Sequence, residues 1–263
     1  LIYGDTNSTL AGALAAAKLE IPVAHVEAGL RSYNLSMPEE VNRILADRIS
    51  KVLFAPTENA RQNLLKEGFE NFPSRISVVG DVMYDAALFY SKKPATQINK
   101  HGQGHVLVTL HRASNTDDSK ILSSLVETLN TIAAEQKVIC PLHPRTRKKL
   151  EEINVVPKFD IIDPVGYFEM LDLLQNCSFV MTDSGGLQKE AYFFAKPCLT
   201  LRTETEWVEL VDLGCNFIVG VERESILSAW KQLKTKKFDF TARPYGTGHA
   251  GEVIAQELLK GPL

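Results

Sequence analysis

The sequence predicts an α/β protein of two domains, each built around an open parallel β-sheet. Three observations lead to this prediction. Short apolar runs alternate with amphipathic helical stretches, a pattern typical of parallel strands joined by helical crossovers. A polar stretch interrupts this alternation once. The 263 residues, 44 % of them hydrophobic, are more than a single core usually organises.

The first half of the chain reads as regular strand and helix units. The strands at LIYG, PVAHV and KVLFA are each followed by a predicted helix, over residues 8–19, 38–49 and 57–67. The chain opens within a predicted strand, without an initiator Met and without a preceding helix. We therefore expect the beginning of the first domain to precede Leu1, which would leave that domain incomplete here.

The alternation stops at the polar stretch SKKPATQINKHGQG, where we predict a boundary between residues 95 and 96. It resumes over residues 96–240 with strands at HVLVTLH, KVICPLH, FDIIDPV, CSFVMTD, PCLTLR and CNFIVG. The two predicted domains are therefore residues 1–95 and 96–240. Residues 241–263 are predicted to form a C-terminal helix that packs back toward the first domain.

Charge and composition narrow the class of partner. The net charge is −3, and acidic and basic residues are interspersed. The sequence therefore has neither a basic stripe of the kind that binds nucleic acid nor a polybasic run of the kind that binds an anionic membrane. No apolar run approaches the roughly 20 residues that span a bilayer. The four cysteines form no CxxC pair, which favours buried free thiols in a reducing cytoplasm. We expect a cytoplasmic protein with a small-molecule partner.

Ligands of open α/β sheets bind beyond the carboxyl ends of the strands. After CSFVMT, the turn Asp183-Ser184-Gly185-Gly186 leads into a helix, whose free N–H groups and partial positive charge suit a phosphate. The same pattern fits an ordinary turn capped by Asp183 or Ser184. Glu190, one turn into the helix, suits the two hydroxyls of a ribose, or is a solvent-exposed helix residue.

Basic side chains follow other strands of the same predicted sheet. His111 and Arg112 come after HVLVTL, His143 and Arg145 after KVICPL, and Arg202 after PCLTL. Each residue alone could be a loop residue whose hydrogen bonds are satisfied locally, or one partner of a surface ion pair. Their coincidence at strand ends favours a site for a polyanion.

Carboxylates occupy the equivalent positions in the first half. Asp5 and Glu27 follow two strands, and Glu39 opens the next helix after a proline. Each alone fits a helix cap or a first-turn acid. Carboxylates gathered in a cleft have raised pKa values, which suit them to acid–base catalysis. Taken together, the three carboxylates favour this catalytic interpretation over capping. Arg31 and Arg43 would either pair with the charges of these carboxylates or fix the shape of the loop.

The ordered motifs resemble a known family. In order and spacing, the chain is similar to the non-hydrolysing UDP-N-acetylglucosamine 2-epimerases through GDTNSTLAGALAAAK, HVEAGLRS, PEEVNR, VVGDVMYD, HRASN, LHPRTRK, DSGGLQKEA and RTETEWVEL. The resemblance implies two Rossmann-like domains of GT-B type, with the active site in the cleft between them. It implies UDP-sugar binding mainly by the second domain, without a metal, a nicotinamide or another cofactor. Family members often form homodimers, so the resemblance implies that a homodimer is possible for this chain.

The resemblance also assigns residues to roles. Asp5, Glu27 and Glu39 correspond to the catalytic carboxylates, and His111 to a catalytic-site residue at the diphosphate of UDP. The expected UDP-sugar-binding residues are Arg112, His143, Ser184, Gly185, Gly186, Glu190 and Arg202.

The chain departs from the family pattern at two positions. Ser114 stands where the HRxEN motif often has Glu, and Trp207 follows Glu206 where many bacterial members have Arg. The second variant resembles archaeal members and those acting on UDP-diacetamido uronates. The sugar of the substrate therefore stays open.

The implied reaction is inversion at C2 of a UDP-2-acetamido sugar by elimination and re-addition of UDP. The alternatives are a GT-B glycosyltransferase, a hydrolysing epimerase and a UDP-sugar-binding fragment without turnover. The sequence does not assign either face of C2 to a particular carboxylate.

Overall fold

The computed structural model describes residues 1–92 and 101–260. The chain divides into two compact units. Unit 1 comprises Leu1–Leu88 together with the segment from Ala242 onward, and unit 2 runs from Phe89 to Thr241. The boundary predicted between residues 95 and 96 lies outside the described residues.

The elements of residues 1–92 alternate between strand and helix. In chain order they are β1 (Ile2–Tyr3), α1 (Asn7–Lys18), β2 (Ala24–Val26), α2 (Pro38–Ile49), β3 (Val52–Ala55), α3 (Glu58–Lys66), a 3-10 helix (Phe69–Asn71), β4 (Arg75–Val78) and α4 (Val82–Ser91). The strands form one parallel sheet in the order β1-β2-β3-β4.

The first three predicted helices are confirmed to within one residue at each end. The hydroxyls of Thr6 and Thr57 accept N–H groups from the first turns of α1 and α3, which fixes where those helices begin.

The remaining described elements follow the same alternation. They are β5 (His105–Thr109), α5 (Ala113–Thr116), α6 (Ser119–Ala133), β6 (Val138–Pro141), α7 (Pro144–Glu152), β7 (Asp160–Ile162), α8 (Tyr167–Asn176), β8 (Cys177–Thr182), α9 (Gly185–Phe193), β9 (Cys198–Thr200), α10 (Val208–Asp212), β10 (Asn216–Ile218), α11 (Arg223–Leu233) and α12 (Ala250–Leu259).

The sheet of unit 1 is covered on both faces. One cluster contains Val26, Val52 and Phe54 together with Ile254 of α12, and a second contains Leu53 and Leu64. Burial on both faces explains why β3 is apolar along its whole length, since crossover helices exclude water from both sides of a parallel sheet. The C-terminal helix α12 thus contributes to the core of unit 1.

The loop after β2 makes a close backbone approach at Gly29. Its φ is 82°, and a Cβ there would lie 2.3 Å from the carbonyl oxygen of Ala60 in α3. The carboxylate of Asp47 accepts the Gly29 N–H at 3.1 Å, and the Asn63 amide donates to the Gly29 carbonyl at 3.0 Å. The loop is therefore fixed to two helices where only glycine fits.

Gly29→Ala is expected to lower the free energy of unfolding by about 3 to 4 kcal/mol, through backbone strain together with displacement of α3. Gly68→Ala is the matched control, because its φ is 80° but the nearest atom to its Cβ lies 3.8 Å away. The free energy of unfolding of this control should fall by only about 1 kcal/mol. Urea unfolding of both variants measures the difference, and equal losses would contradict the steric explanation.

Unit 2 contains a parallel sheet in the order β10-β9-β8-β5-β6-β7. The chain runs outward from β5 through β6 to β7, then returns to β8 on the other side of β5 and continues outward. The direction of winding therefore reverses between β5 and β8, where loops diverge and leave a crevice at the carboxyl ends of the strands.

Apolar clusters cover both faces of this second sheet. One includes Leu125, Leu129 and Trp230 from α6 and α11, and the other includes Leu174 and Leu187 from α8 and α9. The cysteines are buried and free, as predicted. Over residues 1–92 and 101–260, no helix has the length and apolar character needed to cross a bilayer.

Candidate active site

Asp5 lies at the carboxyl end of β1, where Arg43 of α2 holds its carboxylate. One oxygen of Asp5 accepts from Arg43 Nε at 3.0 Å and from Nη2 at 2.7 Å. Thr6 caps α1, so the capping interpretation of Asp5 is wrong. Arg43 therefore holds one of the predicted charges, as the sequence suggested.

Glu27 follows β2 with a left-handed backbone, at a φ of 73°. Its N–H donates to the Phe54 carbonyl at 3.1 Å, and its carboxylate accepts a hydrogen bond from the Tyr3 hydroxyl. Burial, together with the negative charges of Glu27, Asp81 and Asp5, raises the pKa of Tyr3 far above its usual range. Negative potential is thus concentrated where β1 and β2 end, and sequence reasoning missed Tyr3.

The two acidic residues at the start of α2 differ in environment. Glu39 is exposed in the first turn. Glu40 is buried and accepts the backbone N–H groups of Ser32 and Tyr33, each at 2.9 Å, while Arg43 Nη1 donates to it at 3.1 Å. Glu40 therefore fixes the loop, whereas Glu39 presents a carboxylate to solvent.

Arg31 does not pair with the predicted catalytic carboxylates. Its guanidinium donates to Asp47 at 2.8 Å and makes a two-pronged contact with Glu67 at 2.6 and 2.8 Å. Asp47 also contacts Nδ1 of His25 at 2.7 Å, and both of these side chains are fully buried. Arg31 therefore serves the shape of the loop. Sequence reasoning did not identify His25 or Asp47, although a histidine within the apolar run PVAHV is a signal.

In unit 2, Asp183 joins the two loops at the point where the winding reverses. It is fully buried, and it accepts the N–H groups of His111 and Arg112 and the side-chain amide of Asn115 at 3.1 to 3.2 Å. His111 Nδ1 contacts the same carboxylate at 2.8 Å. Asp183 thus orders the loop after β5 rather than capping α9.

Ser184 occupies the N-cap position of α9, but its side chain makes no capping hydrogen bond. Its backbone N–H donates to the Thr182 hydroxyl at 2.9 Å, which fixes the turn. Gly185 and Gly186 form the first positions of the helix, where N–H groups lack helical acceptors. The turn therefore offers a hydroxyl and helix N–H groups to an anion.

A pocket of about 370 Å³ lies beside this turn. It brings together predicted residues from three strand ends and from α9, namely His111, His143, Ser184, Gly186 and Glu190. Its apolar lining consists of Leu110, Pro141, Pro164, Val165, Met170 and Leu187. Convergent polar groups in an otherwise apolar pocket are typical of small-molecule sites.

Glu190 is buried at one side of this pocket and forms a hydrogen bond with the hydroxyl of Tyr167 in α8. Burial and the adjacent Glu190 carboxylate raise the pKa of Tyr167 to about 12. The interpretation of Glu190 as a solvent-exposed helix residue is therefore wrong. His143 caps α7 by accepting the Arg145 N–H at 3.2 Å, while its side chain also lines the pocket.

Three predicted binding residues are not among those lining this pocket. Arg112 contributes its backbone N–H to Asp183, and Gly185 forms the turn itself. Arg202 is buried and contacts Glu206 at 3.0 Å, beside the turn rather than in the pocket. Trp207 is also buried, and its indole N–H donates to the Gly185 carbonyl at 3.0 Å.

The described residues contain no group of three or more His, Cys, Asp or Glu side chains arranged to hold a metal ion.

Known proteins resemble the chain over almost its whole length. A family model described as UDP-N-acetylglucosamine 2-epimerase matches residues 1–259. The chain is 52 % identical to the UDP-2,3-diacetamido-2,3-dideoxy-D-glucuronate 2-epimerase of Pseudomonas aeruginosa, over 99 % of this chain and 74 % of that protein. It is 43 % identical to the UDP-N-acetylglucosamine 2-epimerase of Methanocaldococcus jannaschii, over 99 % of this chain and 75 % of that protein.

Solved structures show the same likeness. A crystal structure of the Methanocaldococcus jannaschii UDP-GlcNAc 2-epimerase in complex with UDP-GlcNAc and UDP matches with a TM-score of 0.89 and 44 % identity. The match covers 98 % of this chain and 75 % of that one. The predicted α/β fold class, with Rossmann-like domains of GT-B type, is confirmed.

Proposed function

The chain belongs to the UDP-N-acetylglucosamine 2-epimerase family, and on that premise we propose that it inverts C2 of a UDP-2-acetamido sugar without net hydrolysis. The observation that carries this proposal is the pocket of unit 2, where the Ser184 turn, His111 and Glu190 converge. These groups suit a diphosphate and a ribose, and the apolar lining suits the faces of a pyrimidine base.

Unit 2 holds the nucleotide in this proposal. Ser184 and the N–H groups of Gly185 and Gly186 bind the diphosphate at the positive end of α9. His111 contacts Asp183 through Nδ1, and its Nε2 N–H donates to a diphosphate oxygen, which stabilises UDP as it leaves. Glu190 accepts the ribose hydroxyls.

The remaining basic residues act close to the same anion. His143 lines the pocket and supplies a further imidazole to the nucleotide. Arg202 lies beside the turn and Arg112 follows His111 in the chain, and we propose that both attract the diphosphate without lying in the pocket.

Unit 1 supplies the acid–base chemistry. The proton on C2 is lost as UDP leaves C1, which gives a 2-acetamidoglucal, and a proton is returned to the opposite face as UDP adds back. This route needs a base on one face and an acid on the other. We propose that Asp5, Glu27 and Glu39 provide these groups.

The substrate class is a UDP-2-acetamido hexose or a UDP-diacetamido uronate. Trp207 and the 52 % identity to a diacetamido-glucuronate 2-epimerase favour the uronate branch. A cytoplasmic location and a homodimer stay predictions from the sequence.

Incubation in deuterated water tests the proposed route. UDP-N-acetylglucosamine and UDP-2,3-diacetamido-2,3-dideoxyglucuronate are each incubated with the protein and followed by proton NMR. We expect deuterium at C2 of both epimers of the accepted substrate, because the C2 proton exchanges with solvent. Inversion with retention of the original proton would exclude the route.

A second readout of the same incubation separates the related reactions. Accumulation of UDP together with the free sugar would identify a hydrolysing enzyme. Transfer of the sugar only after addition of an acceptor would identify a glycosyltransferase. UDP binding without turnover would identify a binding fragment.

A further inference from the structure

His25 is a fully buried histidine in strand β2, and both of its ring nitrogens have partners. Nε2 lies 2.8 Å from the carbonyl oxygen of Gly4, and Nδ1 lies 2.7 Å from Oδ1 of Asp47. A carbonyl oxygen only accepts hydrogen bonds, so Nε2 carries a proton. The charge state of His25 therefore depends on Nδ1 and on Asp47.

Asp47 is ionised in this network. Its second oxygen accepts from the N–H of Gly29 at 3.1 Å and from Arg31 Nη1 at 2.8 Å. Burial opposes the charge, but the bonds from His25 and Arg31 outweigh it and hold the pKa of Asp47 below its usual value. His25 then donates from both nitrogens as an imidazolium, and the pKa of His25 is raised despite burial because Asp47 stabilises the charge.

The imidazolium joins the three segments that carry the proposed catalytic carboxylates. Gly4 immediately precedes Asp5, and His25 itself lies two residues before Glu27. Asp47 belongs to helix α2, which also carries Glu39 in its first turn. The same helix carries Arg43, which donates hydrogen bonds to Asp5. One side chain thus connects the end of β1, strand β2 and helix α2.

We propose that His25 is a positioning residue for the epimerase reaction, and that its two simultaneous hydrogen bonds set the spacing of Asp5, Glu27 and Glu39. This inference rests on the proposed function. Proton transfer is sensitive to distances of the order of 1 Å, with losses that reach about 10²-fold. A loosened connection should therefore affect the chemical step without affecting the nucleotide groups of unit 2.

Two substitutions each keep one half of the connection. In His25→Asn the side-chain amide replaces the donor to Asp47 and leaves the Gly4 carbonyl without a donor, whereas His25→Gln replaces the donor to Gly4 and leaves only Oδ1 of Asp47 without its donor. We expect each variant to lower kcat by about 10- to 100-fold. Calorimetry should find the Kd for UDP within twofold of the unchanged protein.

Glu67→Gln is the matched control. Glu67 contacts Arg31 in the same network, but it lies on the far side of Arg31 from Asp47 and His25. A merely structural network would make all three variants lose activity in proportion to their loss of stability. Positioning predicts that the control keeps its kcat within threefold, even where its melting temperature falls as far as that of His25→Gln.

The double variant His25→Gln with Asp47→Asn gives a further test. Both substitutions break the same bond between residues 25 and 47. We therefore expect the kcat of the double variant to be no lower than that of the less active of the two single variants, His25→Gln and Asp47→Asn. The proposal is overturned if folded His25→Asn and His25→Gln both keep kcat within twofold, or if Glu67→Gln loses kcat equally. A wild-type protein that does not turn over any UDP-sugar would instead defeat the proposed function.

Nitrogen-15 NMR of the unchanged protein tests the arrangement without relying on the folding of a variant. Both ring nitrogens of His25 should show the shifts of protonated imidazolium at pH 7. A neutral ring, with one nitrogen unprotonated, would overturn the double donation on which the proposal depends.

Discussion

Glu27→Gln is expected to lower the rate of C2 inversion by about 10²-fold or more, the usual loss when a general acid or base is removed. Glutamine keeps the length of the side chain and an oxygen that can accept from the Tyr3 hydroxyl. It removes only the group that titrates, so the loss should appear in kcat. Steady-state kinetics and deuterium incorporation at C2 measure the effect. Asp5→Asn and Glu39→Gln should give losses of the same order.

Glu20→Gln is the control for this substitution. Glu20 is an exposed residue of unit 1 and shares the left-handed backbone of Glu27, with a φ of 58°. It should leave turnover unchanged. If Glu27→Gln binds UDP normally and keeps its wild-type rate, Glu27 is not an acid–base group and the mechanism must rely on other residues.

Asp183→Asn is expected to weaken UDP binding by about 10- to 100-fold, since hydrogen bonds to a charged group contribute about 1.5 to 3 kcal/mol each and 1.4 kcal/mol corresponds to tenfold in Kd. The new amide would place N–H groups against backbone N–H donors, and the loop carrying His111 would lose its anchor. Calorimetric titration with UDP measures the change.

Asp163→Asn removes a carboxylate of the same unit that is 88 % exposed and paired with Arg147 at 3.1 Å. Its Kd for UDP should stay within twofold. An Asp183→Asn variant that folds and binds UDP as tightly as this control would show that the order of the loop after β5 does not govern nucleotide affinity.

The sequence predicted well those features that depend on local order along the chain. Strand and helix alternation predicted the fold class and, to within one residue, the ends of α1, α2 and α3. The strand-end rule also drew attention to His111, His143, Ser184 and Glu190, which lie around one pocket. These residues come together because parallel strands bring their carboxyl ends to the same edge whatever the loops between them contain; their roles in binding stay predictions.

The sequence did not predict the ion pairs and hydrogen bonds that most of the charged side chains form. Arg31 pairs with Glu67, which is 36 residues away, and Asp183 orders a loop 72 residues before it. Neighbouring residues also diverge, since Glu39 is exposed and Glu40 buried. Pairings across crossovers depend on the packing of helices against a sheet, and residue spacing does not encode that packing directly.

The left-handed backbone of Glu27 has an evolutionary consequence. Glycine adopts this conformation without strain, so a mutation to glycine would relax the main chain and is always available to selection. Such a mutation would also delete the carboxylate. In the proposed mechanism the Glu27 carboxylate is required, so selection would keep glutamate here against the preference of its own backbone, at a cost in folding free energy.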